Sequence, residues 1–354
     1  VIKQFVVGST IMIALAGCSS FLKYDKTEQL NKNDEFAKAV KVEKTEAPVV
    51  VTPEVTTAPV PGATVATPAP TPAPKAAVKK EKAKLEPKKK GKKAATVETV
   101  VPEAPPARQP DLEDSAGFEG RRPVKDPFRV GEVVTHDVHY FKVSAGEMKL
   151  KVEPFVMVNG RKSYNFTTAI KTVGVFSNFY SVEDKVETYV DFENLTPYTF
   201  ELHVKESGQL REAKMLFDNV KNIATFWEKK VTKKDGEEEK KQKWDIMSYS
   251  QNVFSAVFYL RVFQWEIGKE YAFRVANDNE NIVFTAKALR KEVLDTALGP
   301  KNAIVIQPQI KIKGDLKPIG DIFIWLSDDE HKYILRIESK IKIGTLISEV
   351  VDIK

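Results

Sequence analysis

Cysteine is almost absent from this chain: 354 residues contain one, Cys18. That excludes an internal disulfide and any metal site built from several thiolates. Histidine is scarce too, limited to His136, His139, His203 and His331. The apolar stretch at residues 5–16 is about a dozen long, short of the roughly 20 needed to span a bilayer. No phosphate-cradling GxxxxGK[ST] loop, GxSxG elbow or HExxH zinc helix occurs. A basic nucleic-acid-reading domain is missing as well. The formal net charge is +6, but from residue 127 to 354 there are 34 Lys and Arg against 33 Asp and Glu. The excess lies upstream, mostly in "KAAVKKEKAKLEPKKKGKK" at residues 75–93. A nucleic-acid reader carries its positive stripe on the folded domain, so no nucleic-acid partner is expected.

What is present begins at the first residues. Lys3 precedes "FVVGSTIMIALA", which ends in small side chains, the layout of a signal peptide over residues 1–17. The order Leu15-Ala16-Gly17-Cys18 resembles the lipobox of bacterial lipoproteins. The resemblance implies cleavage between Gly17 and Cys18 and acylation of the Cys18 thiol and the new amino terminus. One acyl chain binds a membrane marginally, whereas two or three hold it. Ser19 follows where an Asp marks inner-membrane retention, so the resemblance implies the periplasmic face of the outer membrane. The alternative is an ordinary signal peptide, or a short buried helix, with a chance cysteine.

Residues 18–126 read as a disordered tether, rich in Pro, Ala, Thr and Lys. Proline fixes φ and removes a backbone donor, so the stretch is expected to be extended, with one short helix within residues 26–44. Such a length reaches on the order of 60 Å as a coil. The lysines are either a solvated spacer or a contact for anionic lipid, cell wall or an envelope protein.

From residue 127 to 354 the texture changes. "EVVTHDVHYFKV", "KSYNFTTAI", "PYTFELHVKE", "DIFIWLSDD" and "YILRIESKIKI" alternate apolar and polar residues, the mark of strands with one buried face. The turns "VNGR", "KKDGEE" and "LSDDEH" are short and favour antiparallel neighbours. One segment has helical spacing: "SQNVFSAVFYLRVF", residues 250–263, with Ser250 as N-cap. The expected fold is mainly β: a strongly curved antiparallel sheet, half-barrel or barrel-like, with one helix packed on its concave side.

Candidate chemistry is thin. His136 and His139 lie three apart on a strand and face opposite sides, which disfavours a shared metal. "SDDEH" at residues 327–331 is either a turn or an acid/base cluster around Asp328, Asp329 and His331. In "VEDKVET", Glu183 and Glu187 share one face and Asp184 takes the other. Two aromatic groups, Phe176, Phe179 and Tyr180 with Phe254, Phe258 and Trp265, are either core or the mouth of a pocket for an acyl chain. No catalytic residue, metal or cofactor is assigned.

Several segments in order, "FRVGEVVTHDVHYFKVSAGEMKL", "FYSVEDKVETYVDFENLTPYTFE", "SQNVFSAVFYLR" and "GDIFIWLSDDEHKYILRIESKIKIGTLISEV", resemble the bacterial envelope family called domain of unknown function 3108. That family brings no activity with it. The layout is also similar to the periplasmic lipoprotein-carrier half-barrels, which hold acyl chains, at the level of fold alone. Three functions follow: a membrane-anchored lipoprotein whose β-domain binds a lipid or acyl chain, a non-catalytic interaction module, or an unrecognised hydrolase. The first is preferred, and the chain is expected not to be an enzyme.

Overall fold

The turns set the register. Asn159 and Gly160 both have positive φ, 49° and 79°, as the two-residue hairpin joining β3 (Val143–Val158) to β4 (Arg161–Thr172) requires. Asp278 and Asn279 do the same between β10 (Glu270–Asn277) and β11 (Glu280–Thr296). The structure is a computed structural model that describes residues 31–44, 115–140, 143–312, 315–317, 321–341 and 344–354.

Among the described residues sixteen strands form one sheet, and every pairing in its ladders is antiparallel. From β2 (Val133–Tyr140) through β3 and β4 the chain meanders onward. It continues through β5 (Val182–Asp191), β6 (Pro197–Glu206), β7 (Gln209–Asp218), β8 (Ile223–Thr232) and β9 (Gly236–Asp245). It then crosses the concave side and returns through β10, β11 and β12 (Gly299–Ile312), where β13 (Asp315–Lys317) is a side branch. The last strands are β14 (Ile322–Ser327), β15 (Ile334–Ile341) and β16 (Gly344–Ile353), and β16 pairs with β2. The edges β9 and β10 share no ladder, so the sheet is not closed. Their gap is bridged by a Lys240–Asp278 ion pair, by Asn281 Nδ2 donating to the Asp245 carbonyl at 2.8 Å, and by a Gln251–Val275 bridge.

The crossing carries the packed helix, α4 (Val253–Tyr259), followed by one 3-10 turn (Leu260–Val262). Short helices fully within the described residues precede it: α1 (Asp34–Ala39), α2 (Ser115–Arg121) and α3 (Phe176–Phe179). The N-cap of α4 is Asn252 rather than Ser250. Asn252 accepts from Phe254 N and Ser255 N, and Ser255 Oγ accepts from Asn252 N, a reciprocal capping box. Ser250 spends its hydroxyl on the Met247 carbonyl. Asn252 also donates to Thr188 Oγ1 at 2.9 Å, and Gln251 donates to the Leu195 carbonyl at 2.8 Å, fixing the helix to β5 and the turn after it. Phe258 stacks on Phe166 at 4.3 Å and Phe254 meets Phe200 edge-on at 5.3 Å, so the helix fills the space between the walls.

Part of the expected tether belongs to the fold. Phe36 and Val40, from α1 and the residue after it, are buried on the sheet's outer face with Val156, Val158 and Tyr189. β1 (Val42–Lys44) then pairs with β3. A helix was expected here; its docking was not, because two apolar anchors give a weak periodic signal. The boundary at residue 126 also moves upstream, since Phe118 of α2 joins the main core and Asp126 accepts from Tyr164 Oη at 2.8 Å. Gly17, Cys18, Ser19 and residues 45–114 lie outside the described residues, and with them the expected anchor and most of the expected disorder.

Candidate functional site

The two ends of the sheet differ. One end, where β3 and β5 finish and β4 and β6 begin, is sealed. Arg261 pairs with Glu132, both almost fully buried, and lies between the rings of Phe128 and Tyr333. Its other donors reach the carbonyls of His331 at 2.9 Å and Pro127 at 3.0 Å. Asp191 accepts from Arg161 at 2.8 Å, Tyr198 Oη at 2.7 Å and Asn194 N at 2.8 Å. Burial works against its ionisation, but those donors outweigh it and hold the carboxyl below the usual range.

Toward the other end the inner face opens. Alternation puts Val134, Leu150, Val152 and Phe166 on the inner face, where they are buried in the main core. The same parity, two to four residues farther along, places Val138 on β2, Met148 on β3 and Ile170 on β4. The register extends it to Leu346, Ile337 and Ile322 on β16, β15 and β14. These six apolar side chains are only half-buried. Half-buried apolar side chains therefore gather on the inner face at this end, with Met148, Ile322 and Ile337 packed at the edge of the main core, whereas at the sealed end Ile353 is the inner-face counterpart opposite buried Val134.

The wall facing it, on β5 to β9, is polar at the same level. One inner row runs Val350, His136, Met148, Ile170, Asp184, Val204, Arg211, Lys230. Arg211 pairs with Glu228. Glu206 accepts from Tyr180 Oη at 2.6 Å and Gln209 Nε2 at 2.9 Å. Burial, then the nearby Glu206 carboxylate, pushes Asp184 up to about 7. His136 is fully buried, with Nδ1 3.2 Å from Ser348 Oγ; burial lowers it to about 4 and keeps the imidazole neutral. The open end is thus amphipathic: apolar on one wall, charged and hydrogen-bonding on the other.

The six aromatic candidates separate into two sets. Phe254, Phe258 and Trp265 are core residues, and Trp265 donates Nε1 to the Leu260 carbonyl at 3.0 Å. Phe176, Phe179 and Tyr180 sit on the excursion between β4 and β5, at the rim of the open end. Among the described residues no ring contact links the sets. The open-end wall of Val138, Met148, Ile170 and Ile337 was missed, because period two assigns a face but not a level along the strand.

The polar candidates resolve as well. In the "SDDEH" turn Asp329 accepts from Ser327 Oγ and from the backbone N of His331 and Lys332, while Asp328 pairs with Lys291. His139 lies beside Asp137 at 3.2 Å, away from inward-facing His136. Glu183 and Glu187 pair outside with Lys205 and Lys185. Among the described residues no three of His, Cys, Asp and Glu converge on a metal-sized site. Two outer grooves, of about 540 and 450 Å³, are lined mostly by such pairs, including His203 with Glu212. Glu212 holds His203 above its usual range.

Among solved structures, a β-barrel-like protein of domain of unknown function DUF1849 from Brucella abortus aligns with TM-score 0.40 and 10% identity, covering 64% of this chain and 97% of that one. A candidate exported protein with a YmcC-like fold from Bacteroides fragilis gives 0.28 and 8%, covering 65% and 98%. A candidate lipoprotein from Parabacteroides distasonis gives 0.23 and 9%, covering 65% and 97%. No curated protein matches the chain. Residues 135–351, the whole sheet from β2 to β16 with α4 inside it, match the family described as protein of unknown function (DUF3108), and the chain belongs to that family.

Proposed function

We propose that this is an envelope lipoprotein, anchored through Cys18, whose β-domain holds an apolar ligand, a lipid or acyl chain, at the open end of the sheet. The observation that supports this most is the gradient along the inner face: buried at Val134, Leu150 and Phe166, solvent-reachable at Val138, Met148 and Ile170. An apolar wall left reachable by water is a ligand wall by default. The charged wall opposite suits an amphiphile, its chain against Met148 and Ile170 and its head toward Asp184, Glu206 and Arg211. The role is binding without chemistry. The periplasmic face of the outer membrane, implied by Ser19, is part of the same reading.

The test is native mass spectrometry of the chain from Ser19 onward, purified without detergent and then extracted with organic solvent. Bound lipid is expected, and its loss in an Ile170→Glu, Met148→Glu variant that still unfolds cooperatively. A clean apo mass for the unmodified chain, or lipid retained by the variant, would overturn the reading and favour an interaction module.

A further inference from the structure

We propose that the open end docks onto a phospholipid membrane through the tip formed by Val143, Val175 and Phe179. This rests on the reading of that end as a ligand mouth. Val175 and Phe179 are 60% and 73% exposed, and Val143 beside them is 47% exposed. Phe179 is the only phenylalanine among the exposed large hydrophobic side chains of the described residues.

The tip is held, not loose. Val173 N donates to the Ala145 carbonyl at 3.1 Å, tying the excursion to β3 beside Val143. Ser177 Oγ donates to the Gly174 carbonyl at 2.7 Å, and Gly174 takes φ +60°, a turn its missing side chain makes easy. Tyr180 pins the far side through Glu206. A fixed aromatic and aliphatic tip in water is costly and is the chemistry that enters a headgroup layer.

The course of the chain selects a membrane as the occupant. Asn31 lines the outer groove with Lys149, Ala169 and Lys185, in the open-end half of the sheet. From there α1 runs toward the sealed end, where Val42 lies opposite Val158 and β1 turns back along β3. Thirteen steps separate Cys18 from Asn31, a reach of at most about 45 Å. Along β3, Lys149 lies about 20 Å from Val143 at the open end and about 30 Å from Val158 at the sealed end, so the open end is the nearer of the two to an acylated Cys18. The positive excess of the chain lies in the lysines of residues 75–93, between the anchor and the sheet, and lysines so placed suit anionic headgroups. Docked this way, a ligand passes between bilayer and inner wall without crossing water.

The test uses the full lipidated chain in vesicles of phosphatidylcholine and phosphatidylglycerol. An environment-sensitive fluorophore is placed at Phe179→Cys, with Val220→Cys as the control, since Val220 is 94% exposed in the turn between β7 and β8 at the sealed end. Nitroxide carried on lipid chains is expected to quench the label at 179 several-fold more than the label at 220. A label at Val175→Cys should behave like 179 and lose its quenching when Phe179→Asp is added. Equal quenching at 179 and 220, or none at 179, overturns the docking. Lipid extracted from the same protein separates the two readings: lipid bound with an unquenched tip overturns docking alone, and a quenched tip on a lipid-free protein overturns the ligand reading alone.

Discussion

The sealed and open ends are built from the same strands, a few residues apart, yet they follow different rules. At the sealed end every strong donor and acceptor named above has a partner, and the rings of Phe128, Tyr164, Phe166 and Phe258 pack in sequence. At the open end the same inner face carries half-buried apolar side chains across from an acid pair, Asp184 and Glu206. The lesson is that one alternating pattern encodes both fully buried and half-buried stretches of the same inner face. What separates them is how fully the space is filled: Phe258 of α4 stacks on Phe166, and Phe254 joins the cluster of Val186, Leu202 and Val204 on the other wall.

Substitutions at the two ends should therefore diverge. The largest stability losses are expected at the sealed end. Phe258→Ala removes the ring stacked on Phe166, and Arg261→Ala strands a buried Glu132; each should cost about 3–5 kcal/mol in urea denaturation. Losses under about 1 kcal/mol would mean the sealed half is not the stabilising half.

The pH dependence comes next and has opposite signs on one inner row. His136 titrates at about 4 folded against 6.5 unfolded, so the unfolded chain binds more protons between those values. Stability should fall as pH drops from 6.5 to 4, and His136→Leu should remove up to about 3 kcal/mol of that loss. Asp184 titrates at about 7 against 3.8 unfolded, so the folded chain holds the extra proton. Its stabilising protonation is lost as pH rises from about 4 to 7, and Asp184→Asn should stabilise the protein at neutral pH by about 1–2 kcal/mol. Thermal unfolding of both variants across pH 4–8 checks the signs. A smaller loss, about 1–2 kcal/mol, is expected for Asn252→Ala, which uncaps α4 and frees Thr188. Smallest is Phe179→Ser at the rim, within about 0.5 kcal/mol, since that side chain is mostly in water.

Much of the fold is legible in the alternation, because each strand buries one face and each turn carries its own residue code, as at Asn159-Gly160. The separation of Asp184 from Glu183 and Glu187 is legible for the same reason. The start of α4 is not, since Ser250 and Asn252 are both good caps and only Ser255 three residues later decides between them. The mouth is not either. Whether Ile170 stays half-buried while Phe166, on the same strand and face, is core depends on where α4 comes to rest, and that is set by contacts some 90 residues apart in sequence, such as Phe166 with Phe258.

The most direct measurement is where a ligand touches the protein. A fatty acid carrying a photoreactive diazirine, equilibrated with the chain from Ser19 onward and irradiated, leaves adducts that peptide mass spectrometry can place. The account predicts adducts on the open-end inner face, on peptides holding Val138, Met148, Ile170 and Ile337. Adducts confined to sealed-end surface positions such as Val220 or Val293, or none above a denatured control, would contradict it.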